Sequence, residues 1–250
     1  MMLWIDSWLG STTIHTYNLI IPSILKGMTA LDRLPLGCQA LDRLLGGGFE
    51  AGIITQIYGE AGTGKTNIAM QLAVQAVNRQ SRVVFIDTEG FSSERFRQIA
   101  GERAKEIASK ILIFEPMTLD QQHISIREAS KIAGIDLGLV VLDSATSLYR
   151  VLLEAEDNKQ VRKKFSTQMG DLLKLARRHK VPVFITNQVY TDIETGMLKP
   201  LGGTALEHMC KAILSIEKVG NSLRRARIVK HRSQPEGETE VFSITAKGID

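Results

Sequence analysis

The sequence predicts an α/β fold, a mostly parallel central sheet flanked by helices, on three observations. Short, solidly apolar runs alternate with longer stretches of helical period. Those runs lack the in–out alternation of a half-exposed strand, so a layer covers each of their faces. One run also leads through a glycine-rich octet into a helical pattern, the strand–loop–helix order of a phosphate-binding unit. With 250 residues, 44% of them hydrophobic, the chain has material for one such core.

Taken in order, the first 27 residues stand apart. Trp4 and Trp8, the chain's two tryptophans, lie here among many Ser and Thr, and the apolar run Leu19–Leu25 is interrupted by Pro22. Residues 1–27 are expected to be a non-core extension, disordered or not native, with Met28 as the working start. The alternative is an amphipathic docking arm. Residues 28–250 then make one domain. No basic region precedes the apolar run, which argues against a secretory signal, and no run reaches membrane-spanning length. Two cysteines, Cys38 and Cys210, and five scattered histidines offer neither a disulfide framework nor metal-ligand spacing, which fits a reducing cytoplasm. The net charge of +4 is compatible with nucleic acid and diagnostic of nothing.

Gly52–Tyr58 is a short β-branched run that reads as a buried strand. The octet Gly59-Glu60-Ala61-Gly62-Thr63-Gly64-Lys65-Thr66 follows and fits G-x-x-x-x-G-K-[ST] at every fixed position. The glycines let the backbone curl until successive N–H groups face phosphate oxygens. Lys65 brings a cation to the β- and γ-phosphates, and Thr66 offers Mg²⁺ a hydroxyl. Asn67–Asn78 carries Ile68, Leu72, Ala73 and Ala76 at helical spacing, so the positive end of a helix also meets the anion. The ligand predicted for Gly59–Asn67 is a nucleoside triphosphate, with Mg²⁺; the resemblance below makes it ATP.

Further strands are predicted at Arg82–Asp87, Lys110–Phe114, Gly138–Asp143 and Val181–Thr186, with helices at Ser92–Ser109, Thr118–Ala133 and Asn158–His179. Two strands end in acids, where parallel sheets bind ligands. Asp143 follows Leu139-Val140-Val141-Leu142, the setting of an acid that holds Mg²⁺ and its waters; a plain strand-end cap is the alternative. Glu89 follows the strand ending at Asp87 and can orient and polarise an attacking water, or else cap the helix starting near Ser92. Gln188 ends Ile185-Thr186-Asn187-Gln188, where an amide can sense the γ-phosphate by hydrogen bonding; simple solvation of a strand end is the alternative.

These segments together resemble the RecA superfamily, and more closely its archaeal and eukaryotic recombinase branch. The resemblance runs through most of Leu36–Gly248. It rests on Gly37–Gly48, the phosphate loop, Asp87-Thr88-Glu89-Gly90 with Ser93-Glu94-Arg95-Phe96, Leu142–Arg150 and Ile185–Val189. It implies a RecA-like P-loop NTPase core with a C-terminal antiparallel β extension. The implied activity is weak ATP hydrolysis and DNA binding in homologous recombination and repair, as an accessory or mediator. Lys65, Glu89 and Gln188 match the family's catalytic set. Arg95 matches a side chain that stacks on adenine, and His208 a histidine near the phosphates at a subunit interface. By its residues alone, a lone helical histidine is more often structural. The implied partners are DNA, single-stranded by preference, recombinase or recombination-nuclease proteins, and copies of the same chain. The long recombinases' N-terminal helix-hairpin-helix domain and Phe-x-x-Ala docking segment are expected to be missing, since no Phe precedes Phe49 in this sequence.

The segments matching the family's DNA loops are weakly charged. Val151–Lys164, with Arg162, nets +1, and Tyr190–Gly203, with Lys199, nets −1. Cations on phosphates dominate nucleic-acid affinity, so these loops promise modest binding. Lys218–Arg232 has six Lys/Arg and no acid, with a hairpin turn at Val219-Gly220-Asn221-Ser222. This is a solvated edge hairpin, or a DNA contact through Arg224, Arg225 and Arg227. Lys230 and Arg232 also resemble the Lys-x-Arg finger that KaiC-like ATPases extend into a neighbour's nucleotide site. A KaiC-like oligomeric switch without a DNA role is therefore the competing function.

Overall fold

The computed structural model describes residues 32–134, 136–155, 158–192, 196 and 198–250. The expectations for residues 1–27 and for a start at Met28 lie outside the described residues. A small antiparallel pair, β1 (Arg33–Leu34) and β2 (Phe49–Glu50), encloses α1 (Gln39–Leu44). The predicted first strand is β3 (Ile54–Gly59), and the helix after the octet is α2 (Lys65–Asn78). The other predicted strands are β4 (Arg82–Asp87), β5 (Ile111–Phe114), β6 (Leu137–Asp143) and β7 (Val183–Asn187), each within about two residues of expectation.

One predicted helix is not continuous. Residues 92–109 form α3 (Ser93–Ala100), a 3₁₀ turn at Gly101–Arg103 and α4 (Ala104–Ala108). Gly101 has φ +65°, outside the helical region, and breaks the run. The remaining helices are α5 (Leu119–Ile132), α6 (Ser147–Ala155), α7 (Asn158–His179) and α8 (Gly203–Met209). Between α7 and α8, β8 (Val189–Thr191) and β9 (Leu198–Pro200) make a separate antiparallel pair.

Strands β10 (Cys210–Lys218), β11 (Leu223–His231), β12 (Thr239–Thr245) and β13 (Gly248–Ile249) complete a nine-stranded sheet ordered β13-β12-β11-β10-β3-β7-β6-β4-β5. From β10 to β5 all neighbours are parallel; β11, β12 and β13 are antiparallel. The predicted turn at residues 219–222 joins β10 to β11. Among the described residues no helix is long and apolar enough to cross a membrane.

The solid apolar runs explain the two cores. On β4, Val83 and Phe85 pack with Ile68 and Leu72 of α2, while Val84 and Ile86 pack with Ile126 of α5 and Leu172 of α7. On β6, Leu139 and Val141 face the first core, and Val140 and Leu142 the second. A strand buried on both faces has no polar side to alternate with. This register places the carboxyl ends of β3, β4, β6 and β7 together: Asp87 pairs with Asp143, and Tyr58 with Asn187.

Candidate functional site

The octet closes the end of β3 and opens α2. Gly59 sits against β10, and a Cβ there would run into the carbonyl oxygen of Ile216. Gly62, at φ +75°, makes the reversal that a side chain would strain. The Thr63 hydroxyl donates to Glu60 O at 2.9 Å. Lys65 Nζ donates to Gly59 O at 2.8 Å and Glu60 O at 2.9 Å, so the cation is folded over the loop it serves. Burial holds the Lys65 ammonium below the ordinary lysine pKa, opposed by Glu89 and Asp143 and reinforced by Lys218. A nearby polyanion would reverse that displacement.

Asp143 ends β6, 2% exposed. Its Oδ1 accepts from the Thr186 hydroxyl, and Thr66 stands close enough to draw its pKa down. Burial nevertheless dominates and pushes it up to about 6, with Glu89 and Asp87 adding to the rise. Asp143 Oδ2 is buried without a hydrogen-bond partner. A carboxylate oxygen left orphaned beside a threonine hydroxyl is a fitting place for a divalent cation or its water.

Glu89 and Gln188 come from different strand ends and meet: Gln188 Nε2 donates to Glu89 Oε1 at 2.7 Å. The helix-cap alternative for Glu89 does not hold, because Ser92 Oγ accepts from Arg95 N and caps α3. Asp87, buried, accepts from the backbone N–H of Glu89 at 3.4 Å and of Gly90 at 2.9 Å. Burial raises its pKa, and those two amides oppose the rise. Around Gln188, Thr146 donates to Asn187 Oδ1 at 2.6 Å and accepts from Gln188 N at 3.3 Å, while Asn187 Nδ2 reaches Leu201 O at 2.7 Å.

Arg95 is fixed on three sides, donating to Asn67 Oδ1 at 2.8 Å, Gln98 Oε1 at 2.8 Å, and the carbonyls of Thr245 and Ala246 at 2.8 and 3.0 Å. Its plane is thus tied to the start of α2. His208 lies exposed on α8.

The basic hairpin divides by strand alternation. Arg224 shares the inner face of β11 with Ala226 and Ile228, and is 7% exposed. Its guanidinium donates to the carbonyls of Gly220, Asn221, Leu223 and Gly62. The expectation that Arg224 meets DNA beside Arg225 and Arg227 is therefore corrected: the period of two turns it the other way. The alternation Arg224-Arg225-Ala226-Arg227-Ile228 carried that signal. Arg225 and Arg227 do lie on the outer face, and Arg225 is ion-paired with Glu217 at 2.8 Å across the ladder. Glu217 stands one residue before the acid-free window.

Lys199 Nζ pairs with Asp192 at 2.6 Å, and Arg162 lines a cavity of about 410 Å³ with Tyr149, Phe165, Tyr190 and Gly202. The Lys-x-Arg pair is engaged within its own chain. Lys230 Nζ donates to Glu207 O at 2.6 Å, and Arg232 is paired with the buried Glu50, which Arg33 approaches at 3.9 Å.

The comparisons agree with this arrangement. A family model described as Rad51 matches residues 29–250. The protein of Methanococcoides burtonii named "DNA repair and recombination protein RadB" is 51% identical over 222 residues, 88% of this chain and 99% of its own length. Its namesakes from Methanoculleus marisnigri and Archaeoglobus fulgidus are 48% and 43% identical over 87% of this chain and 97% of their own lengths. A crystal structure described as that of the RadB recombinase superposes with a TM-score of 0.75 at 37% identity, covering 86% of this chain and 98% of that one. Phosphate loop, strand-end acids and a RecA-like sheet thus coincide in one place, and the chain belongs to the Rad51 family, in its RadB group.

Proposed function

We propose that this chain is an ATP-binding protein of DNA repair and homologous recombination. It binds DNA, hydrolyses ATP slowly and acts as an accessory to a strand-exchange recombinase. The observation that carries this is the Glu89 to Gln188 hydrogen bond, whose carboxylate is near enough to act electrostatically on Lys65 and Asp143. It couples the water-orienting acid to an amide whose own backbone leads into β8 and β9.

In this reading the N–H groups of Gly59–Thr66 and the Lys65 ammonium hold the phosphates. Thr66 and Asp143 would hold Mg²⁺, which when bound would neutralise negative charge on the phosphates. Glu89 accepts a proton from the attacking water, and Gln188 registers whether the γ-phosphate is present. Arg95 offers a guanidinium plane to adenine, and His208 serves a neighbouring copy's site. Arg162, Lys199, Arg225 and Arg227 supply the DNA contacts, with single strands preferred. Other copies of the same chain and recombinases or recombination nucleases are the protein partners. The KaiC-like alternative needs Lys230 and Arg232 free to reach a neighbour; both are engaged in their own chain.

The test is titration onto labelled single-stranded DNA with ATP, a non-hydrolysable analogue, ADP or no nucleotide, at several salt concentrations. Salt-dependent binding that differs between ATP and ADP is expected, with Lys65→Ala indifferent to nucleotide. No DNA binding in any nucleotide state would defeat the recombination reading.

A further inference from the structure

Arg224 is 7% exposed, yet among the described residues no carboxylate pairs with it. Its Nη1 reaches the carbonyls of Leu223 at 2.9 Å and of Gly220 and Asn221 at 3.3 Å, its Nη2 reaches Gly62 O at 3.1 Å, and its Nε is buried without a partner. A buried cation held only by neutral carbonyls is incompletely compensated. The nearest place where negative charge would collect is the phosphate loop itself.

The contact with Gly62 has a geometric consequence. A trans peptide is planar, so the Gly62 carbonyl and the Thr63 N–H point in opposite directions. Gly62 is at φ +75°, and a glycine lets the adjoining peptide turn either way. Drawing the carbonyl outward selects one orientation. The Thr63 N–H then makes only a long hydrogen bond, to Glu60 O at 3.4 Å, which a phosphate oxygen could replace. Lys218, opposite Arg224 in the ladder, brings its ammonium to within 3.2 Å of where a Gly62 Cβ would stand, and adds positive charge to the same flank.

We propose that Arg224 is a positioning residue of the phosphate-binding loop. It holds the Gly62 carbonyl outward so that the Thr63 N–H faces a bound phosphate, and it lends that phosphate its unshared charge. The C-terminal antiparallel strands thereby become part of the nucleotide site. This rests on the nucleotide-binding reading above.

The experiment compares the full chain with Arg224→Met, which keeps the apolar stem, and Arg224→Lys, which keeps one donor and the charge. ATP affinity is measured by calorimetry, ligand-free melting temperature by scanning calorimetry, and the ATP-induced shift of the Thr63 amide by NMR. Arg224→Met is expected to melt within a few degrees of the parent, weaken ATP about tenfold or more and lose most of the Thr63 shift. Arg224→Lys should recover much of both. Parental ATP affinity in Arg224→Met overturns the inference alone. So does loss of affinity that simply follows a lowered melting temperature and is not recovered by lysine. A parent that fails to bind ATP overturns the nucleotide reading and this inference together.

Discussion

The side chains of Glu89 and Gln188, 99 residues apart in sequence, are joined by a 2.7 Å hydrogen bond in which the amide of Gln188 donates to the carboxylate. The bond fixes which Glu89 oxygen remains available to a water. It also gives Gln188 a partner that a γ-phosphate would have to compete with. Two outcomes follow from this link alone.

Glu89→Gln should bind ATP with parental affinity and lose about 100-fold or more in hydrolysis, because an amide cannot take the water's proton. Its carbonyl can still accept from Gln188, so the loop keeps its shape. Single-turnover hydrolysis decides the matter, and parental rates in the variant would leave Glu89 a bracing role only.

Gln188→Ala should leave ATP affinity nearly unchanged and remove the difference in DNA affinity between the ATP and ADP states. The reason is that the Gln188 amide donates to Glu89 while its own backbone leads directly into β8. A preserved ATP/ADP difference, measured by fluorescence anisotropy on DNA, would place the switch elsewhere.

Asp143 gives a prediction whose sign depends on burial. Its folded pKa, about 6, lies above the ordinary 3.8, so between those values the folded chain keeps a proton that the unfolded chain has lost. Stability of the metal-free chain therefore falls as pH rises through that window, and the penalty is complete above it. Asp143→Asn should melt higher than the parent near pH 8 and close to it near pH 4, while losing Mg²⁺-dependent ATP binding. Melting curves across pH, with and without Mg²⁺, test both parts.

Replacing Arg225 and Arg227 together with Ala should weaken DNA binding. It should also flatten the slope of log K against log salt by up to about 1.4 on single strands, at about 0.7 per lost phosphate contact. Arg225 already shares its charge with Glu217, so the change is expected to fall below that ceiling. Lys199→Ala should do less, since Asp192 neutralises it at 2.6 Å. If Lys199→Ala abolishes binding while the double variant matches the parent, DNA follows the β8–β9 segment and not the hairpin.

Phe184→Ala tests the core that carries the site. Phe184 is fully buried on β7 and meets Phe49 edge-on, with ring centroids 5.5 Å apart. The cavity should cost about 3–5 kcal/mol. Denaturant unfolding measures it; a loss below about 1 kcal/mol would mean that the two faces of the sheet repack freely.

What the sequence by itself determined was local. The octet, the apolar runs ending in Asp87 and Asp143, and the helical period of residues 67–78 and 158–179 are written in consecutive residues, because backbone curl, strand burial and helix pitch depend on near neighbours. Alternation along residues 224–228 carries the signal that separates Arg224 from Arg225 and Arg227, but the charge count groups all three, and only the burial of β11 divides them. Only the tertiary structure decided the partners. That Glu89 meets Gln188, that Glu217 stands across from Arg225, that Arg232 pairs with Glu50 and that Arg224 reaches Gly62 all depend on which strands lie side by side and in which register. Nothing within a strand specifies its neighbour; burial of both sheet faces and closure of the loops between them do, and these are properties of the whole folded chain.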